Sequence, residues 1–441
     1  MQDILFENNE IFKEAIDKKR RDMLNADNNL LTDRGVSLEL DELTSLPNGR
    51  FDIFYKNVLF ECVFHYKSEK RLYVLLNGAL TKEAPQFSRW SYYPLLSGCM
   101  LNIADPMYHM YPDLKLGWYY GSSEQDLRVL IAELIIRIAG ILNIKRSNII
   151  FLGSSGGGAA TMECAGRVGG GAKAVAINPQ IVLREYGYGR TFTSITNLDL
   201  SKEDIWHRND ARHWLENKLH SYCILIFNAR SDSDMKQIGN ICEKLQISVK
   251  YGLNVFEQGM IWIYDAECEP FVSAHSAQEF YCIIFVIEFL LDQMNVKNLQ
   301  ENFESVFRLI NEFWYFRWQE EKRLRLQNIT PDYLVFCRET KKRVVLWGSG
   351  EIALQLSNGI LALSGNNYYK IYRIIDNDKR KDGTYFADNI LIKHPSYIHN
   401  WKEYFVIIAV NRGYGEICSQ LEEAGMRRQT DYIHWTELLK V

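Results

Sequence analysis

The stretch Ile149-Ile150-Phe151-Leu152-Gly153-Ser154-Ser155-Gly156-Gly157-Gly158-Ala159-Ala160-Thr161 decides the fold. Ile149 to Leu152 is an apolar run with the length and bulk of a buried strand, and Ala159, Ala160, Met162, Glu163 and Ala165 continue as a helix. Between them lies Gly153-Ser154-Ser155-Gly156-Gly157, a match to G-x-S-x-G. In such a turn the serine sits on a tight strand-to-helix bend with its hydroxyl raised above the sheet. Glycines flank it because a Cβ there would collide with the neighbouring strand and helix. Ser155 is therefore the candidate nucleophile, and the backbone N–H of Gly156 would point at a developing oxyanion. The same five residues also occur as a plain glycine-rich turn, so the rest of the chain must decide.

A chain of 441 residues has room for two or three domains and a large core, so it needs no staples. A net charge of −4 gives no hint of nucleic acid or an anionic membrane surface as partner. The start, Met1-Gln2-Asp3-Ile4, lacks the apolar run of a signal peptide. The apolar run Tyr281 to Leu291 is interrupted by Glu288 and too short to span a bilayer. Nine cysteines stand singly, which fits buried thiols in a reducing cytoplasm and neither a disulfide framework nor a metal site. A cytoplasmic location is the expectation. The basic run Lys18-Lys19-Arg20-Arg21 reads as the solvated side of a helix over Ile11 to Leu24.

From Phe51 the pattern turns to strands: Phe51–Tyr55, Val58–Tyr66 and Arg71–Leu76. The third ends in Asn77-Gly78-Ala79, where Gly78 or Ala79 would supply a second oxyanion N–H, or where an ordinary Asn-Gly turn stands. Pro85 to Tyr120 is dense in aromatic rings, with Met100–Ala104 as a fourth strand inside it. Arg89 and Trp90 on this segment suit a sugar or another flat polar ligand, by hydrogen bonding and stacking. The bland reading is that the rings pack a lid. Ser122 and Ser123 cap a helix over Glu124–Leu142. Ala174–Ile177 is a further strand, and residues 180–220 lack strand signals, as an inserted cap would.

Tyr222–Asn228 is the next strand and runs into Ala229-Arg230-Ser231-Asp232-Ser233-Asp234, before a helix over Met235–Leu245. A carboxylate just past a late strand can orient a base, and Asp232 is the first choice, with Asp234 in reserve. Gly259–Tyr264 is the last strand of this region. His275 follows in a loop before the helix Ala277–Leu291, where a general base belongs. His207 and His213 compete but follow no strand. A serine hydroxyl is a poor nucleophile until an imidazole takes its proton, and the imidazole needs a carboxylate to fix its tautomer. Three such residues, each after its own strand, are less expected by chance than one motif. The order Ser155, Asp232, His275 resembles the α/β-hydrolase superfamily over roughly residues 51 to 295. The resemblance implies a serine esterase or O-acyltransferase with a mostly parallel sheet, a cap insertion and no cofactor for the triad.

Residues 296–340 read as a helical connector. Beyond it, Val344-Val345-Leu346-Trp347-Gly348-Ser349-Gly350-Glu351-Ile352-Ala353 is strand, G-x-G-x-x-A and helix, the first turn of a Rossmann-type unit. A second strand, Lys370–Ile375, ends in Asp376-Asn377-Asp378, where such enzymes bind ribose hydroxyls. Gly348, Gly350 and Asp376 are thus the candidate residues for a nucleotide, a nucleotide-sugar or the phosphate of an acyl carrier such as acyl-CoA. A purely packing or associative role stays equally open. Residues 341–441 resemble a Rossmann-like module of bacterial surface-polysaccharide biosynthesis proteins. Together the readings imply a serine esterase or acyltransferase of glycan assembly, acting on a small ester or glycan, as a homo-oligomer or within a glycan-assembly complex. The competing expectation is a non-catalytic accessory or scaffold protein that keeps a hydrolase fold. Residues 1–50 are expected to form a separate helical or extended segment.

Overall fold

The computed structural model describes residues 18–19, 22–23, 25–80, 84–202, 204–216, 221–257, 259–265, 275, 281–293, 336–337, 339–350, 371–386, 390–410 and 413–438, with runs of one to three residues between 299 and 308 and between 352 and 360. These fall into two compact units: one holds the described residues up to Phe307 and Arg308, the other those from Phe336 onward. The expected helix over Ile11–Leu24 and the connector 296–340 fall largely outside the described residues.

The larger unit is built on ten strands: β1 (Asp33–Glu39), β2 (Gly49–Tyr55), β3 (Val58–His65), β4 (Leu72–Leu76), β5 (Cys99–Ile103), β6 (Ile149–Ser154), β7 (Lys173–Ile177), β8 (Tyr222–Asn228), β9 (Gly252–Phe256) and β10 (Gly259–Tyr264). Their order across the sheet is β1-β2-β3-β5-β4-β6-β7-β8-β10-β9. Only β3 and the edge strand β9 run against the others. This is a mostly parallel α/β sheet. Parallel strands covered on both faces become continuous apolar runs, and β4, β5, β6 and β10 are buried at every position. One apolar core gathers Val74, Leu101, Phe151 and Leu225 with Leu134 and Ile138 of the helix Leu127–Ile141.

Three details depart from the sequence reading. β1 lies within the first fifty residues and pairs with β2, so that segment is partly an edge of the main sheet. The helix begins at Leu127, and its cap is Asp126, whose carboxylate accepts the Arg128 N–H at 2.9 Å. Ser122 closes the preceding turn instead, accepting from the amides of Glu124 and Gln125. Among the described residues the insertion between β7 and β8 carries two helices, Gly189–Thr196 and His213–Glu216.

The smaller unit has six strands: β11 (Arg343–Trp347), β12 (Ile371–Ile375), β13 (Tyr385–Phe386), β14 (Ile390–Lys393), β15 (Tyr404–Ile408) and β16 (Tyr432–His434). Their order is β13-β14-β12-β11-β15-β16, and all pairings except β13 with β14 are parallel. One face packs Leu346, Ile374 and Ile407 against Ile352 and Leu356; the other packs Val345, Trp347 and Ile408 against Ile417 and Leu421 of the helix Tyr414–Glu423.

Candidate active site

Because the central strands are parallel, their carboxyl ends deliver residues to one edge of the sheet. Ser155 follows β6, Asn77 and Gly78 follow β4, Asn178 to Gln180 follow β7, and Ser231 to Asp234 follow β8. Ser155 itself has φ 55° and ψ −120°, the bend between β6 and the helix Gly156–Val168. Such a backbone is costly for a residue with a Cβ and persists only when its surroundings impose it. Here they do: the Ser155 N–H donates to Ile177 O at 2.9 Å, and Ser155 O accepts from Gly158 and Gln180, each at 3.1 Å. Close packing does the rest, since a Cβ on Gly157 would stand 2.4 Å from Leu76 O.

His275 Nε2 lies 2.8 Å from Ser155 Oγ, and His275 Nδ1 lies 2.6 Å from Asp234 Oδ1. Asp234 is fully buried, in the first turn of the helix Asp232–Leu245, where the helix dipole favours a negative charge. The first choice of acid, Asp232, is corrected here. It opens the same helix but is exposed, and no bond joins it to His275 among the described residues. The helix starts three residues earlier than the sequence reading placed it, and residues two apart on a helix face different ways. His275 is held from a second side, because Asn178 Nδ2 donates to its carbonyl at 2.9 Å while Asn178 Oδ1 accepts from Asn228 N–H at 3.1 Å. His207 and His213 stack on each other at 3.8 Å in the insertion, and neither bonds to Ser155 among the described residues.

Gly156 opens the elbow helix, so its N–H has no carbonyl partner within that helix. Gly78 lies against the elbow: a Cβ there would be 3.1 Å from Ser154 O and 3.6 Å from Ser155 Cβ. Ala79 is exposed and lies one residue further out. The Asn77 side chain anchors the loop. Its Oδ1 accepts from Ser88 N–H at 2.7 Å, its Nδ2 donates to the carbonyls of Gln86 and Ile103, and its own N–H donates to Tyr119 Oη at 2.7 Å. Arg89 Nη2 donates to Ser154 Oγ at 2.8 Å, which puts this candidate beside the neighbour of Ser155. Trp90 begins a short turn at the same loop and is half-buried.

Gln180 was not singled out by the sequence. Its Nε2 donates to Ser155 Oγ at 2.9 Å, and its Oε1 accepts from Trp118 Nε1 at 2.5 Å. An indole N–H only donates, so it fixes which end of the amide faces the serine. The signal available was its position, three residues past the end of β7. Behind it, Arg128 Nε donates to Trp118 O at 3.0 Å, and Arg128 pairs with buried Glu163. Burial pushes the Glu163 carboxyl up to about 7 although Arg128 and Arg167 oppose it.

In the smaller unit Gly348 has φ 116° and packs against Ala409 and Val410, whereas a Cβ on Gly350 would meet open space. The Asp376 carboxylate has four donors from its own unit. It accepts from Ser349 N–H at 3.1 Å, Ser349 Oγ, Asp378 N–H at 2.9 Å and Lys381 Nζ at 3.0 Å. Burial alone would raise this carboxyl, but those donors outweigh it and hold it below the usual range. No group of metal-ligating side chains occurs among the described residues, and no helix among them is long and apolar enough to cross a membrane.

A family described as C2185-like, N-terminal, matches residues 340–430. No curated protein matches the chain. Among solved structures the chain is similar to the capsule O-acetyltransferase of Neisseria meningitidis serogroup A at 14% identity and a TM-score of 0.40, covering 56% of this chain and 96% of that one. It is similar to a glycosylation-associated protein complex from Streptococcus agalactiae at 14% identity and a TM-score of 0.38, covering 54% and 44%. A thermophilic esterase from Thermogutta terrifontis is 11% identical, with a TM-score of 0.37 and coverage of 55% and 92%.

Proposed function

We propose that the chain is a serine esterase or O-acyltransferase acting on a bacterial surface or capsular glycan. The observation that carries this reading is the hydrogen-bonded line from Ser155 Oγ through the His275 imidazole to buried Asp234. Ser155 Oγ attacks the carbonyl carbon of an ester or thioester while its proton passes to His275 Nε2. Asp234 accepts from His275 Nδ1–H, which fixes the tautomer and stabilises the imidazolium. The N–H groups of Gly156 and of Gly78 or Ala79 receive the oxyanion. Collapse expels the alcohol or thiol, which takes the proton from His275 and leaves an acyl-serine. A water or a sugar hydroxyl then attacks with His275 as base, giving hydrolysis or transfer. The glycan part of the proposal is supported by the ring-bearing loop around Trp90 and by the resemblance of the C-terminal segment.

The test is labelling with a fluorophosphonate probe together with turnover of p-nitrophenyl acetate. Both are expected of the native protein and lost in Ser155→Ala. Turnover that survives the substitution overturns the assignment, and an unlabelled native protein turns the reading to an accessory role in a glycan-assembly complex.

For the smaller unit we propose a Rossmann-like module. Its parallel strands taken in chain order lie 3-2-1-4-5, the order of the doubly wound fold. The Gly348–Gly350 turn, with open space at Gly350 and Lys381 Nζ 3.0 Å from Ser349 Oγ, is the place for a phosphate-bearing ligand. Melting shifts with nicotinamide nucleotides, nucleotide-sugars and coenzyme A test this, and no response to any of them leaves the module to packing or association.

A further inference from the structure

Arg89 is held at the elbow without a counter-charge among the described residues. Its Nη2 donates to Ser154 Oγ, a neutral hydroxyl, at 2.8 Å. Its Nε is buried without a hydrogen-bond partner, and no ion pair joins its guanidinium to a carboxylate among the described residues. The buried arginines of this unit are answered: Arg71 by Glu288, Arg128 by Glu163 and Arg208 by Asp204. The main chain around Arg89 is pinned as well. The N–H of Ser88 donates to Asn77 Oδ1, its carbonyl accepts from Asn102 Nδ2, and Arg89 O accepts from Tyr92 N–H at 2.9 Å. A part-buried guanidinium without a counter-charge is costly, and an arriving carboxylate or phosphate relieves that cost through strong charge-assisted bonds.

We propose that Arg89 holds an anionic group of the substrate, a carboxylate or a phosphate, beside Ser155. The proposal rests on the acyl-transfer reading of Ser155 and adds a substrate class to it. The anion belongs either to the acyl half, as in a dicarboxylic half-ester, or to the alcohol half, as in an acidic sugar. Neutral substrates of the same size lack this anchor.

The experiment compares kcat/KM for p-nitrophenyl hemisuccinate against p-nitrophenyl butyrate, and for acetylated glucuronic acid against acetylated glucose. In Arg89→Met the anionic-to-neutral ratio is expected to fall at least tenfold in one of the two comparisons. Arg89→Lys, which keeps the charge and guards against a folding defect, restores part of it. A fall confined to the first comparison places the anion on the acyl half, and one confined to the second places it on the alcohol half. Ratios that stay within twofold in both overturn the proposal. Titration calorimetry of monomethyl succinate and of glucuronate into Ser155→Ala reads the same site without turnover. Binding of either, weakened at least tenfold by adding Arg89→Met, supports the proposal even if no ester is cleaved, and binding of neither overturns it.

Discussion

Asp232 and Asp234 are separated by one residue, yet only one of them can serve an imidazole. Both stand in the first turn of one helix, but Asp234 is fully buried with Oδ1 2.6 Å from His275 Nδ1, while Asp232 faces solvent. Replacing Asp234 by Asn is expected to lower kcat for p-nitrophenyl acetate by on the order of 10⁴-fold, because the amide no longer secures the tautomer whose Nε2 takes the serine proton. Asp232→Asn is expected to change it by less than about twofold, since an exposed side chain away from the imidazole contributes little beyond screened charge. Equal losses in the two variants would remove Asp234 from its assigned role. The sequence showed both acids just past a strand but not which way either would point, because that depends on where the helix begins. Gln180 was hidden for another reason: its role is set by Trp118, sixty-two positions away in the chain, whose N–H aims the amide at Ser155.

At the scale of elements, what could be read in advance was whatever burial on two faces imposes. β4, β6, β8 and β10 are uninterrupted apolar runs, and the sequence places them within a residue or two. The edge strands β1 and β9 escaped notice because an edge needs only one buried face: Asp33–Glu39 mixes charges with isolated apolar residues, and Gly252–Phe256 is short. The elbow's tightness also follows from elements, since the Gly156–Val168 helix touches the end of β4. Gly157→Ala puts a methyl 2.4 Å from Leu76 O, so the bend must open. A loss of about 1–3 kcal/mol in urea unfolding is expected, together with reduced fluorophosphonate labelling as Ser155 shifts. The loop after β5 adds a pH dependence. Asp105 is fully buried and accepts from Met107 N–H at 3.0 Å and Tyr119 N–H at 2.9 Å. Burial still wins and lifts its carboxyl to about 6. A folded-state value above the unfolded one means that its contribution is greatest in acid and is lost as pH rises towards 6. Asp105→Asn should therefore flatten the fall in stability between pH 4 and pH 7 by up to about 3 kcal/mol, at 1.36 kcal/mol for each unit of displacement. Urea midpoints of both proteins across that range decide it, and parallel curves would deny the carboxyl that role.

The described residues fall into two compact units, each with apolar packing of its own, and unfolding should show both units. Phe151 lies in the centre of the ten-stranded sheet, buried with the aliphatic side chains of β4, β5 and the Leu127–Ile141 helix. Trp347 lies in the six-stranded sheet, buried at 1% exposure and stacked on Trp401 with ring centroids 5.3 Å apart. Among the described residues each of these clusters is built from residues of a single unit. Units that bury their own apolar surface unfold as their own cooperative steps, and a single melting temperature then ceases to describe the chain. Truncating a large buried ring to Ala removes about 3–5 kcal/mol from the core that held it. Scanning calorimetry is therefore expected to resolve two transitions, with Phe151→Ala lowering one by roughly 10 °C and Trp347→Ala lowering the other by at least as much. Fluorophosphonate labelling at temperatures between the two transitions shows which one destroys the Ser155 site. Loss of label should follow the transition that Phe151→Ala moves, because every side chain in the hydrogen-bonded line comes from the larger unit. If both substitutions displace one common transition by the same amount, the two sheets melt as a single cooperative body, and the separateness of their cores has no thermodynamic counterpart.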